Sequence, residues 1–257
     1  MSNDPQTIFR LDGRVALVTG SSKGLGRAMA MALGKAGAKV CINYFNNEAK
    51  ADAVFKEFQD AGCEGILVRA DVTKEDEVDR LVTEIEEKLG PIDILIPNAT
   101  CDQPQKPIES YDWDFYQSML DFFIKSPYLL VRRTLPHMKK QKWGRIINIG
   151  SEVFQRGIPQ FTAYVAAKGG QNGFSRSLAT ELAPFGICVN MISPGWIPVE
   201  RHEKDPQESK DQYLADLPAG RWGVPDDLAG AIVFMSSDAA GFVMGQNICV
   251  NGANTVA

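Results

Sequence analysis

Histidine is almost missing from this 257-residue chain: only His137 and His202 are present. That leaves little for a His-based catalytic triad, and Gly150-Ser151-Glu152 is not the Gly-x-Ser-x-Gly elbow of a hydrolase. Cysteine is sparse as well. Cys41, Cys63, Cys101, Cys188 and Cys249 are odd in number, scattered and without metal-ligand spacing, so no metal site is expected and a reducing cytoplasm suits them. No apolar run is long enough to span a bilayer, so no membrane partner is expected. Residues 1–9 begin with a polar stretch lacking the order of a signal peptide and read as a short flexible arm. Basic charge is not in excess: the net charge is −5, which argues against nucleic acid as a partner. Lys139-Lys140-Gln141-Lys142 reads as a solvated helix end. Repeats, low-complexity stretches and linkers are absent too. With 44% hydrophobic residues, positions 1–257 are expected to form one domain around a sizeable core.

What the chain does contain is alternation. Strand-like apolar runs at 14–19, 38–44, 65–69, 92–97, 144–149, 186–192 and 247–250 alternate with helical patterns. The helices fall near 25–36, 47–61, 74–89, 112–138 and 160–183, with shorter ones near 207–216 and 225–236. This order predicts a single-domain, Rossmann-type, doubly wound α/β fold: a parallel sheet of about seven strands with helices on both faces. Pro127 and Pro136 are expected to bend or end the fourth long helix. Ligands of such sheets lie at the carboxyl ends of the strands, where Gly20, Asp71, Asn98, Ser151 and Pro194 all fall.

Two motifs carry chemistry. Thr19-Gly20-Ser21-Ser22-Lys23-Gly24-Leu25-Gly26 lies between a strand and the strong helix former Arg27-Ala-Met-Ala-Met-Ala-Leu33. Glycines there let backbone approach a pyrophosphate, and the helix start offers free N–H groups. The second is Tyr164-Val-Ala-Ala-Lys168, with Ser151 thirteen residues upstream. Four residues apart, the phenol and the ammonium share one helix face. The cation favours phenolate, so Tyr164 is a candidate general acid/base, and Ser151 is placed to hold a substrate oxygen.

Together these residues resemble the short-chain dehydrogenase/reductase family, which unites T-G-x-x-x-G-x-G with Ser…Tyr-x-x-x-Lys. The resemblance spans nearly the whole chain and is strongest toward 3-oxoacyl-acyl-carrier-protein reductases. It implies that Ser151, Tyr164 and Lys168 are catalytic, with Lys168 lowering the tyrosine pKa and binding the nicotinamide ribose. It further implies cofactor contacts from Asp71-Val72 and from Pro97-Asn98-Ala99-Thr100, the counterpart of N-A-G. Pro194-Gly195-Trp196-Ile197, the counterpart of P-G-x-I, is implied to lie beside the nicotinamide. Relatives are commonly homotetramers, and the aromatic stripe Trp113, Phe115, Tyr116, Phe122, Phe123 is compatible with that or with plain core packing. Cofactor choice is a question of charge. An NAD site usually has an acid about 20 residues past the glycines, but Cys41-Ile-Asn43-Tyr44-Phe-Asn46 has none before Glu48. With Lys23 available to a 2′-phosphate, NADP(H) is expected over NAD(H), with Ser22, Asn43 and Tyr44 among the contacts.

The expected reaction is hydride transfer between NADP(H) and a ketone or secondary alcohol of a small-molecule substrate. Residues 195–218 are expected to form a substrate lid, with Phe154, Gln155 and Trp196 reaching the pocket and His202 read as an exposed loop residue. Some positions depart from the family. Phe123 stands where many relatives carry an asparagine that supports a water-linked proton relay through the lysine. Thr100 replaces the glycine of N-A-G, Val199 a threonine, and Asn251-Gly252-Ala253 the D-G-G near the C-terminus. Phe185 replaces a basic carrier-docking residue, so a keto or sugar-alcohol substrate is as plausible as a 3-oxoacyl one. Two classes stay open: an active reductase, and an NADP(H)-binding protein of the same fold with weak or no turnover, acting as sensor or assembly partner.

Overall fold

The strands are apolar on both faces because both faces are covered, as in other parallel sheets. In the computed structural model, which describes residues 7–256, β1 (Val15–Val18), β2 (Lys39–Tyr44), β3 (Gly65–Arg69), β4 (Ile94–Ile96), β5 (Gly144–Ile149), β6 (Ile187–Pro194) and β7 (Asn247–Val250) form one sheet. Their order is β3-β2-β1-β4-β5-β6-β7, and every pairing is parallel. Successive side chains alternate between the layers. Ala16 and Val18 join Met29 and Leu33 on one face, whereas Val15 and Leu17 join Leu81 and Leu130 on the other. The expected fold is therefore the observed one.

The helices are α1 (Gly24–Lys35), α2 (Glu48–Asp60), α3 (Glu75–Lys88), α4 (Trp113–Leu120), α5 (Ser126–Gln141), the short α6 (Val153–Arg156), α7 (Thr162–Leu182), α8 (Gln207–Asp216) and α9 (Ala229–Ser236). Helix α1 packs against α9 on one side of the sheet, and α3 packs against α5 on the other. The stretch expected as one bent helix is α4 and α5 joined by a π-turn, Asp121–Lys125, in which the Ser126 N–H bonds the Asp121 carbonyl. The wider turn carries the chain into Pro127, which has no N–H to continue a regular ladder. Pro136 ends nothing. It lies inside α5 on an exposed face, where water can satisfy the carbonyl that its ring leaves free.

Residues 1–6 of the expected arm lie outside the described residues. Thr7–Phe9 are not free: the Arg10 N–H bonds the Thr7 carbonyl at 2.9 Å, and the Phe9 ring sits 6.5 Å from that of Phe234. Among the described residues no helix is long and apolar enough to cross a membrane.

Order reverses between β1 and β4, and the crevice at that switch point is held open by side chains. Thr19 Oγ1 accepts the N–H groups of both Asn98 and Ala99 at 2.9 Å. Asn98 Nδ2 donates back to the carbonyls of Thr19 at 2.9 Å and Gly20 at 3.1 Å. Asn43, buried on β2, accepts the Gly20 N–H at 3.1 Å and donates to the Val68 and Ala70 carbonyls at 3.3 and 3.2 Å. Asn43→Leu would remove the acceptor of the Gly20 N–H and a donor to the Ala70 carbonyl. We expect a loss of about 2–3 kcal/mol in urea unfolding, together with weaker nucleotide binding.

Candidate active site

Helix α1 begins at Gly24 with no capping side chain on Lys23 and no acid in its first turn, so its N-terminal N–H groups and positive dipole end face the crevice uncompensated. Gly20 and Gly24 hold φ of +61° and +52°, in the left-handed region. A Cβ on Gly26 would lie 2.5 Å from Asn98 Nδ2 and from the Gly20 carbonyl. Such a cradle of bare backbone at a helix start fits a pyrophosphate. Ser22 and Leu25 are half-buried beside it, and Lys23 is exposed at its rim.

Other residues expected at a cofactor are placed less directly. The Asn43 side chain is spent on backbone, and the Tyr44 hydroxyl donates to Glu48 at 3.3 Å. Asp71 Oδ1 accepts the Thr73 N–H and hydroxyl at 3.0 and 2.7 Å, and Val72 is buried. Asn98 and Ala99 line the turn. Pro194 ends β6, Gly195 donates its N–H to the Val250 carbonyl at 3.1 Å, and Ile197 is buried in the core with Leu228. Thr100 is exposed; its hydroxyl donates to the Cys101 carbonyl and accepts from Gln103.

Ser151, Tyr164 and Lys168 are brought together by β5 and α7, and all three are buried. The Tyr164 ring packs among Met119, Phe123, Ala163 and Ala167, with Phe161 at 5.0 Å. Burial pushes its pKa above the ordinary tyrosine value, against the Arg201 charge and the hydrogen bond from Ser151. This differs from the expected depression by Lys168. The ammonium is turned aside: Nζ donates to the Ile149 carbonyl at 2.5 Å and to Gln171 Oε1 at 3.1 Å, and lies 5.7 Å from the Tyr164 ring. Burial, and then the Arg201 charge, hold Lys168 well below the ordinary lysine value.

The segment 195–218, expected as a lid, is folded. It contains a single 3₁₀ turn (Glu200–His202) and α8, and Trp196 packs against His202, Tyr213 and Trp222 at 5.3–6.0 Å. The Tyr213 hydroxyl accepts the Trp196 N–H at 2.8 Å and donates to Glu152 at 2.9 Å. Buried Glu152 also accepts from Asn251 at 3.0 Å, Asn254 at 2.7 Å and Arg156 at 3.3 Å. This hub explains one departure from the family. An aspartate at 251 would face a carboxylate, whereas asparagine supplies the donor. Neither Glu152 nor Tyr213 stands out in the sequence, because the bonds that join Glu152 to Tyr213, Asn251 and Asn254 span 61 to 102 residues. Gln155 accepts from Thr255 and Cys249 at 3.1 and 3.4 Å, and Phe154 beside it is half-buried. His202 is half-buried rather than exposed, and burial plus Arg201 lower its pKa to about 4, so its ring is neutral at pH 7.

The sequence matches the family described as enoyl-(acyl carrier protein) reductase over residues 20–254. It is 38% identical to a 2-dehydro-3-deoxy-D-gluconate 5-dehydrogenase of Formosa agariphila, covering 95% of this chain and 94% of that protein. It is 40% identical to a 3-oxoacyl-acyl-carrier-protein reductase of Haemophilus influenzae, covering 94% and 98%. A crystal structure of a gluconate 5-dehydrogenase from Burkholderia cenocepacia in complex with NADP and tartrate superposes with a TM-score of 0.92. It shares 33% identity and covers 99% of this chain and 100% of that one.

The Gly26 cradle gives a direct check. Gly26→Ala should weaken NADPH binding at least about tenfold in a fluorescence titration, whereas affinity equal to that of the unchanged protein would remove the cradle from the binding site.

Proposed function

The chain belongs to the short-chain dehydrogenase/reductase family, and we propose that within it this protein is an NADP(H)-dependent oxidoreductase acting on a ketone or secondary alcohol. The observation that carries this reading is the buried Ser151–Tyr164–Lys168 group beside an uncapped, glycine-lined helix start. Nicotinamide bound there would supply or accept the hydride. The chain's own residues handle the oxygen and its proton. Ser151 orients the substrate oxygen, and Tyr164, kept protonated at neutral pH by burial, donates to it during reduction. Alcohol oxidation needs the phenolate, so its rate should climb with pH into the alkaline range.

NADP(H) in preference to NAD(H) is supported by the lack of an acid between Cys41 and Asn47 and by exposed Lys23 at the cradle rim. The reading without turnover has nothing to favour it. Thr100 is bonded within its own loop, and the relatives matched are named dehydrogenases and reductases. A homotetramer in the cytoplasm remains the assembly and location that the family resemblance supports.

The substrate proposed is a small hydroxy or keto acid rather than a carrier-bound thioester. Arg201 is the formal charge felt by both Tyr164 and Lys168. Its guanidinium donates to Gln103 Oε1 at 3.1 Å, and among the described residues no carboxylate pairs with it. An unpaired cation at the pocket suits a substrate carboxylate. Phe185, where a basic carrier-docking residue would stand, points the same way.

NADPH and NADH oxidation should be followed with keto sugar acids, neutral ketones and 3-oxoacyl thioesters. We expect keto acids with NADPH to turn over fastest and Tyr164→Phe to cut the rate by about 10²–10⁴-fold. Arg201→Met should raise KM for keto acids more than for neutral ketones. Proven NADPH binding with no turnover on any carbonyl would contradict the reading.

A further inference from the structure

The π-turn before α5 drives Phe123 inward, onto the one buried ammonium of the site. Position 123 is where a hydrogen-bonding asparagine is expected, and a phenyl ring offers no such bond. Yet Lys168 is 3% exposed, and an ammonium so buried needs partners on every side. The structure supplies them from two residues outside the Ser-Tyr-Lys group. Nζ lies 3.8 Å from the Phe123 ring centroid, well inside the range of a cation–π contact. Gln171, one turn along α7 and 1% exposed, accepts from Nζ at 3.1 Å. The Ile149 carbonyl takes a second donor at 2.5 Å, which leaves the third N–H to the ring face, so two acceptors and the ring account for the three N–H groups.

Both partners are themselves fixed. Phe123 is 3% exposed and meets the Tyr164 ring edge-on at 5.3 Å, which ties it to both members of the catalytic pair. Ser175 donates to the Gln171 carbonyl at 2.8 Å and accepts from Asn148 at 2.9 Å, locking the turn that carries the amide. Tyr164, Lys168, Gln171 and Ser175 thus form a polar stripe on the buried face of α7, at a spacing that repeats every three to four residues. The hydrogen bond that the Gln171 amide oxygen makes on this face is the one to Lys168.

We propose that Phe123 and Gln171 are the positioning pair for Lys168, its ring face and amide oxygen holding the ammonium in place of a hydrogen-bonding side chain at 123. Phe123 is then a compensated replacement and does not mark a disabled enzyme. The inference rests on the reductase reading of Tyr164 and Lys168. The titratable and charged groups around Nζ are Tyr164 on its own helix and Arg201 from the segment after β6. The π-turn and β5 present only the ring and a backbone carbonyl.

The test uses the full chain, with lysine side-chain ¹⁵N NMR reading the Lys168 titration (assigned by its loss in Lys168→Met) alongside NADPH-dependent kinetics. Phe123→Leu and Gln171→Leu each remove an attraction to the charged form. Each should lower the titration midpoint by about one pH unit and kcat about tenfold, with KM for NADPH little changed. Phe123→Tyr keeps a ring face and should restore the midpoint. Unaltered midpoints in both leucine variants would overturn the proposal, and a shift in only one would overturn the pairing. Should Phe123→Leu fail to fold, Phe123→Met and Gln171→Leu carry the same comparison. The titration needs no turnover. A protein that reduces no carbonyl would therefore sink the reductase reading while the midpoints still decide the positioning pair.

Discussion

Parallel strands that all end at one edge leave a row of backbone N–H and C=O groups that no strand continues to satisfy. In this chain three side chains take them up. Thr19 Oγ1 binds two N–H groups of the β4 exit, Asn98 returns two donors to the β1 exit, and Asn43 fastens that same turn to β2 and β3. Because these bonds are made across the edge, the turn between β1 and α1 needs no cap of its own. Helix α1 is left with a bare N-terminus, and the proposed nucleotide cradle is the space that this stitching leaves open. The same edge delivers Ser151 from β5 and Pro194 from β6, so the chemistry lies where the fold's own hydrogen bonding ends.

The proposed catalytic group obeys a second constraint, that of burial. Tyr164 and Lys168 are both driven toward their neutral forms, the phenol upward and the ammonium downward. A protonated tyrosine is the form a reduction requires. The lysine is kept in the interior by the Ile149 carbonyl, Gln171 and the Phe123 ring. The Glu152 carboxylate gathers Tyr213, Asn251 and Asn254, joining α8, the segment after β7 and the residue beside Ser151 into one network. Substitution anywhere in that network should be felt at the pocket.

Much of this was readable in the sequence. All seven strands fell within about two residues of their observed limits, since unbroken apolar runs between glycine and proline signals are what a doubly covered parallel sheet demands. The glycine turn and the Tyr-x-x-x-Lys spacing are local, so their geometry followed from helix periodicity. What escaped was set by distant partners. The position of Asn43 was visible, but the four backbone groups of Gly20, Tyr44, Val68 and Ala70 that its side chain bonds were not. Glu152 and Tyr213 carry no spacing signal at all. The π-turn was hidden because Pro127 announces a disturbance without saying which kind, and at Phe123 the sequence shows the missing hydrogen bond but not the ring face 3.8 Å from Lys168 Nζ.

The most direct measurement is isotopic. Purified protein would be given NADPH deuterated at the transferable C4 position together with a keto-acid substrate, and the product examined by mass spectrometry and NMR. Deuterium on the newly formed carbinol carbon is the result predicted for a crevice that sets a carbonyl carbon against the nicotinamide while Tyr164 protonates its oxygen. NADPH bound in the cradle with no label in the product, whatever the carbonyl offered, would contradict that account.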